Sequence, residues 1–165
     1  MTVRIRAYRE DKDADVVGRL IAETFRVYNL SHLDATTQSA MLGPFRHAGS
    51  SDPDHQEAIR EAIRSEIVLV AEKAGRITGV LRGRPTRLGS LFVRGEDHRH
   101  GVGRALVNQF EAAVRRKQGT ILHVAATLNA IPFYEAMGYK RSTGVRAMRI
   151  FDGAGFAYQP MRKVL

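Results

Sequence analysis

The chain opens on alternation: Val3 to Tyr8 sets apolar against basic positions in turn, the pattern of a half-buried strand. Asp11 and Asp13 then offer helix N-caps. Val17, Leu20, Ile21, Thr24, Phe25 and Tyr28 recur at helical spacing, which predicts an amphipathic helix ending near Tyr28. From Asn29 to Ser51 the periodicity weakens, with Gly43, Pro44 and Gly49 among mixed residues. This stretch reads as mostly loop, with a short helix around Thr36 to Met41. Asp52-Pro53 is a cap followed by proline in the first helical position, and Ala58, Ile59, Ala62 and Ile63 mark the helix behind it.

Strand patterns follow. Ile67 to Lys73 and Arg76 to Arg84 flank the hairpin turn Ala74-Gly75, and after Pro85 a further strand spans Arg87 to Arg94. Val102, Leu106, Phe110, Ala113 and Val114 form the stripe of a helix from about Gly103 to Lys117, with Gly119 as its stop. Thr120 to Thr127 reads as a strand and Ala130 to Met137 as a short helix ended by Gly138. Tyr139 to Phe151 and Ala157 to Val164 read as two last strands, joined through Asp152-Gly153-Ala154-Gly155. The order predicts an α/β (α+β) fold: a mixed, mostly antiparallel sheet of about seven strands with about four helices. No linker or repeat interrupts it, so residues 1–165 are expected to form a single domain.

Composition narrows the chemistry. The chain has no cysteine, which excludes disulfides, thiolate metal sites and a cysteine nucleophile. Arg4, Arg6, Arg9 and Glu10 break any signal-peptide core, and the longest aliphatic run, Ile67 to Ala71, is too short to cross a bilayer. The expectation is a cytoplasmic protein with no membrane partner. A formal charge of +9 attracts polyanions, either nucleic acid or a phosphate-rich cofactor. The basic residues are scattered, however, and neither a concentrated basic helix face nor an aromatic stacking motif accompanies them, so nucleic acid is the weaker reading.

The most informative stretch is Asp97-His98-Arg99-His100-Gly101-Val102-Gly103-Arg104. It lies between the strand end Leu91-Phe92-Val93 and a helix start, where unpaired N–H groups favour an anion. Two glycines permit a close backbone approach, and Arg99 and Arg104 add full charges. A dinucleotide fold would need a third glycine where Leu106 stands, and a nucleoside-triphosphate loop would need Gly-Lys-Ser/Thr. Neither is present. His98 and His100 have no further candidate ligands beside them, so no metal site is expected.

At this point the chain resembles the GNAT family of N-acetyltransferases. The family's Gln/Arg-x-x-Gly-x-Gly/Ala turn, preceded by a Leu-aromatic-Val strand end, is matched by Leu91-Phe92-Val93 and His98-Arg99-His100-Gly101-Val102-Gly103. Downstream, Asn129 to Tyr139 (Asn-Ala-Ile-Pro-Phe-Tyr-Glu-Ala-Met-Gly-Tyr) looks like the family's Asn, Phe-Tyr-Glu, Gly-Phe/Tyr segment. The element order agrees along essentially the whole chain. One departure is His98, where the family has Gln or Arg.

The resemblance implies acetyl-CoA as cosubstrate and an acyl-CoA N-acyltransferase fold. The cofactor would lie in a V-shaped opening between the strands Arg87 to Arg94 and Thr120 to Thr127. His98, Arg99, His100, Gly101, Val102, Gly103 and Arg104 would hold the pyrophosphate through their N–H groups. Main-chain groups of Phe92 and Val93 would pair with the pantetheine arm and thioester carbonyl, with Asn129 and Phe133 also against the cofactor. A donor aimed at that carbonyl stabilises the oxyanion. Tyr134 would be the general acid for the departing thiolate. The acceptor would be a small-molecule or peptide amine, with self-association into a homodimer left open. The family's glutamate on the fourth strand is missing from Leu88 to Phe92, leaving His123, Glu23 and Glu72 as base candidates. Two other readings stand beside transfer to a primary amine: a catalytically silent CoA-binding protein and a basic nucleic-acid-binding module.

Overall fold

A computed structural model describes residues 2–165. β1 (Arg4–Ala7) leads to α1 (Glu10–Asn29), α2 (Ala35–Leu42) and α3 (Pro53–Ile63). A meander of β2 (Ile67–Lys73), β3 (Arg76–Arg84) and β4 (Arg87–Val93) follows. The chain then forms α4 (Val102–Arg116), β5 (Ile121–Thr127), α5 (Ile131–Ala136), β6 (Lys140–Arg141), β7 (Arg146–Ile150) and β8 (Gly153–Val164). The sheet has eight strands in the order β1-β2-β3-β4-β5-β8-β6, with β7 also paired to β8. It is antiparallel except for β4 beside β5.

Each face of the sheet has its own core. Ile67, Leu69 and Ala71 of β2 pack with Leu106, Phe110 and Val114 of α4. Val70 and Val80 pack on the other side with Val17, Leu20 and Ile21 of α1 and Ile59 and Ile63 of α3. This explains the unbroken aliphatic run of β2: a strand covered on both faces has no polar side to show.

The structure departs from the sequence pattern in three places. First, α1 starts at Glu10 with Arg9 as its N-cap, so neither Asp11 nor Asp13 caps it. Asp13 instead accepts from the Arg9 N–H (2.8 Å) and from Arg6 Nη1 (2.7 Å), while Arg6 Nε reaches Glu72 (2.9 Å). Second, the weakly patterned stretch holds the short helix expected around Thr36 to Met41, as α2, but continues into a 3-10 turn over Gly43–His47 where the pattern reads as loop, with Met41, Leu42 and Phe45 buried. Its apolar residues join the core beneath α1 and α3, and Phe45 also meets Phe151 (6.1 Å between ring centres). That partner lies over a hundred positions downstream, so local periodicity carries no trace of it. Third, the last long strand is split into β6 and β7, and β8 begins already at Gly153. Among the described residues the count is therefore five α-helices and eight strands, against about four and about seven expected.

Burial opposes ionisation of Asp13, but the hydrogen bonds from Arg6 and Arg9 outweigh it and hold the carboxyl below its ordinary value of 3.8. A folded value below the unfolded one means a contribution fully present above that ordinary value and lost as pH falls through the folded one. Asp13→Asn is expected to cost about 1–3 kcal/mol at pH 7. It should also flatten the loss of stability as pH falls below about 4, read by urea unfolding at successive acid pH values.

Candidate active site

β4 and β5 are paired only through Arg87↔His123 and Leu88↔Val124, although β4 runs on to Val93 and β5 to Thr127. The β3–β4 register explains the divergence. It steps from Arg82↔Ser90 to Gly83↔Leu88, leaving Gly89 unpaired. Such a bulge bends its strand, and it lies where the two strands part. The fork opens into a cleft of about 800 Å³, a size suited to an extended small molecule.

β4 presents alternate main-chain groups to this cleft. The Arg94 N–H donates to Thr78 C=O on β3 (2.8 Å). By the two-residue period of a strand, Phe92 also turns its N–H and C=O toward β3, while Leu91 and Val93 face the fork. The Phe92 ring packs edge-on against Phe25 of α1 (5.9 Å). Phe92 and Val93 both line the cleft, as does Leu91, which the sequence reading did not single out.

The turn after β4 holds two left-handed residues, Arg99 (φ 64) and Gly101 (φ 82), the second being the N-cap of α4. A left-handed arginine is strained backbone of the kind that collects at functional sites. The first N–H bonded within α4 is that of Ala105, on Gly101 C=O (3.0 Å), so those of Val102, Gly103 and Arg104 precede it and point out of the helix end. The first turn carries no acidic residue. Asp97 is buried and paired to Lys73 (3.0 Å), which leaves Arg99 and Arg104 to set the sign of the site. Gly101 faces open space, while a Cβ on Gly103 would meet the Phe133 ring at 3.3 Å. The second glycine therefore serves a close approach between α4 and Phe133.

His98, Arg99, Gly101, Val102, Gly103, Arg104, Asn129, Phe133 and Tyr134 all line the cleft; His100 is exposed beside it. His98 Nε2 donates to Val93 C=O (2.7 Å), so its ring spans from the turn back to the strand end. Asn129 accepts from Thr127 Oγ1 (2.7 Å) and donates from Nδ2 to Tyr28 C=O (3.3 Å). Tyr28 thus bridges the fork. Its ring lies on His98 (4.5 Å), and its hydroxyl occupies the space beside Gly95 where a side chain would be. In the sequence Tyr28 is the last apolar position of the α1 stripe; being 45% exposed, it belongs to the cleft wall rather than the core.

Tyr134 is buried, with its ring edge-on to Phe133 (5.1 Å) and Tyr139 (5.6 Å). Burial alone pushes its phenol well above the ordinary tyrosine value. The hydroxyl is therefore protonated throughout the neutral range. The base candidates stand elsewhere. His123 is exposed near the closed end of the fork, Glu23 is exposed beside Arg94 (3.8 Å), and Glu72 is tied to Arg6; none lines the cleft.

This fold has counterparts among known proteins. The acetyltransferase (GNAT) domain family matches residues 44–165. Among solved structures, a GCN5-related N-acetyltransferase from Rhodopseudomonas palustris is 20% identical with a TM-score of 0.79, covering 100% of this chain and 97% of its own. The PaiA N-acetyltransferase from Thermoplasma acidophilum, in complex with coenzyme A, is 16% identical with a TM-score of 0.73, covering 100% of both chains. An aminoglycoside 6'-N-acetyltransferase complexed with coenzyme A is 17% identical with a TM-score of 0.61, covering 98% of this chain and 96% of its own. No curated protein matches the chain. The chain belongs to the GNAT acetyltransferase family.

Proposed function

We propose that the protein transfers an acetyl group from acetyl-CoA to a primary amine by direct attack within a ternary complex. The observation that carries this reading is the fork itself, with the α4 N-terminus at one wall and the buried Tyr134 at another. The free N–H groups of Val102, Gly103 and Arg104 suit a pyrophosphate, and Arg99 and Arg104 add charge to that end. Leu91 and Val93 offer strand-edge groups to an extended amide arm and a donor to the thioester oxygen. Asn129 and Phe133 border the same channel.

The neutral amine nitrogen forms a bond to the thioester carbon and the carbonyl becomes an oxyanion; as this collapses the C–S bond breaks, Tyr134 gives its proton to the leaving thiolate, and the surplus proton on the nitrogen passes through water to restore the Tyr134 phenol. The attacking amine must first lose a proton, because a lysine-type amine is almost wholly charged at pH 7. Water carries that proton away, because Glu23, Glu72 and His123 stand outside the cleft and Asp97, which lines it, is paired to Lys73.

Saturating acetyl-CoA should raise the melting temperature by about 5–10 °C, the shift expected near a hundredfold excess over Kd. No shift at millimolar acetyl-CoA would sink the proposal. A free-thiol assay across an amine panel then reads transfer; binding without thiol release from any amine would mark a CoA-binding protein instead.

A further inference from the structure

β5 buries Leu122, Val124 and Ala126 on the side of α4 and α5, while Ile121 and His123 on its opposite face are exposed. At the level of His123 the register runs unbroken across five strands. Arg84 of β3 lies opposite Arg87 of β4, Arg87 opposite His123, His123 opposite Arg162 of β8, and Arg162 opposite Lys140 of β6. Residues paired in this way project on the same face. Arg84, Arg87, His123, Arg162 and Lys140 therefore stand in one row, about 19 Å long at the usual strand spacing.

All five are exposed. Among the described residues none of the five has a carboxylate at ion-pair distance, whereas Arg6, Arg60, Arg64 and Arg76 each have at least one. Like charges on neighbouring strands repel, so a row kept free of counter-charge is suited to an external anion. It crosses the sheet at the closed end of the fork. From His123 to Thr127, at the open end, is about 13 Å along β5.

We infer that this row docks an acidic stretch of the polypeptide that carries the acceptor amine. The inference rests on the transferase reading above and names the class of its acceptor. A polypeptide fits better than a nucleic acid for two reasons. The row has no Phe, Tyr or Trp on which bases could stack. The amines of nucleic-acid bases are conjugated and weakly nucleophilic, whereas a polypeptide brings an α-amine or a lysine. Docking raises the encounter rate and lowers KM without touching the chemical step.

The test pairs binding with turnover. A fluorescent peptide with an N-terminal alanine and about eight glutamates, long enough to span the row, is followed by anisotropy in low and high salt. Wild type should bind it in a salt-sensitive way. Arg87→Glu combined with Arg162→Glu should weaken binding about tenfold or more. The same pair should raise KM for acetylation of the unlabelled peptide and leave kcat, and turnover of a small neutral amine, near wild type. Arg87→Gln with Arg162→Gln should give a smaller effect in the same direction, and acetyl-CoA binding checks that each variant is folded. Unchanged peptide affinity in the variants overturns the inference. So does the absence of peptide binding, or a preference for duplex RNA or DNA that the same variants abolish. Because anisotropy needs no turnover, a protein that fails to transfer acetyl but binds the peptide refutes the function and not the docking.

Discussion

Tyr134→Phe should lower the rate of acetyl transfer by about 10²-fold or more while leaving acetyl-CoA affinity within about twofold of wild type. The substitution removes one oxygen and leaves the ring, so the packing against Phe133 and Tyr139 survives. Burial is the cause of the raised phenol pKa, with no neighbouring charge contributing. The group consequently holds its proton through neutral and mildly alkaline pH. Its role as acid therefore predicts no loss of rate from Tyr134 deprotonation below about pH 10. Turnover read by thiol release, with acetyl-CoA affinity read by titration calorimetry, separates chemistry from binding. A variant at full rate would remove Tyr134 from the acid role, and equal losses in rate and affinity would show that the hydroxyl serves binding alone.

What the sequence makes visible follows from which contacts are local. The basic glycine turn is readable because a strand end, two glycines and a helix start occur within about a dozen positions. The same holds for Asn129, Tyr134 and Gly138. Tyr28 is not readable as a cleft residue, because its partners are His98 and Asn129, and helical spacing can only assign it to the α1 stripe. Nor does a motif distinguish the strand faces of Leu91, Phe92 and Val93; that needs the register against β3. The role of Gly89 is likewise a property of two strands together, since a bulge exists only relative to a partner. His123 looks like a base candidate on a strand of the right rank, and only the pairing places it near the closed end of the fork. The basic row is the extreme case. Arg84, Arg87, His123, Lys140 and Arg162 are spread along the second half of the chain and meet only when five strands are laid side by side.

Lys163→Met should destabilise the protein by about 3 kcal/mol. Glu111 of α4 is 3% exposed, so its carboxyl group sits in a largely apolar layer. Lys163 Nζ donates to both of its oxygens (3.0 and 2.9 Å) and to Met137 C=O (2.7 Å), and Tyr139 Oη donates to Oε1 (3.1 Å). Removing Lys163 leaves the buried Glu111 with the Tyr139 hydroxyl and only the distant, exposed Arg115 (3.8 Å), a loss that costs more than the pair itself contributes. The Lys163 side chain is 21% exposed, so water reaches part of the site and the estimate belongs at the lower end of the range. Gly138 owes its place to the same group: besides its left-handed φ of 91, a Cβ there would press on Lys163 Cε at 3.3 Å. The family segment around Tyr134 and the last strand are thus fastened to α4 through a single carboxylate, on the helix whose first turn faces the proposed cofactor. Urea unfolding measures the loss. Adding Glu111→Gln to Lys163→Met should recover part of it, because a neutral amide still accepts from Tyr139 and no longer needs a cation. A loss below about 1 kcal/mol in the single variant, or no recovery in the double, would mean that solvent already screens Glu111 and that α4 is held by its apolar stripe alone.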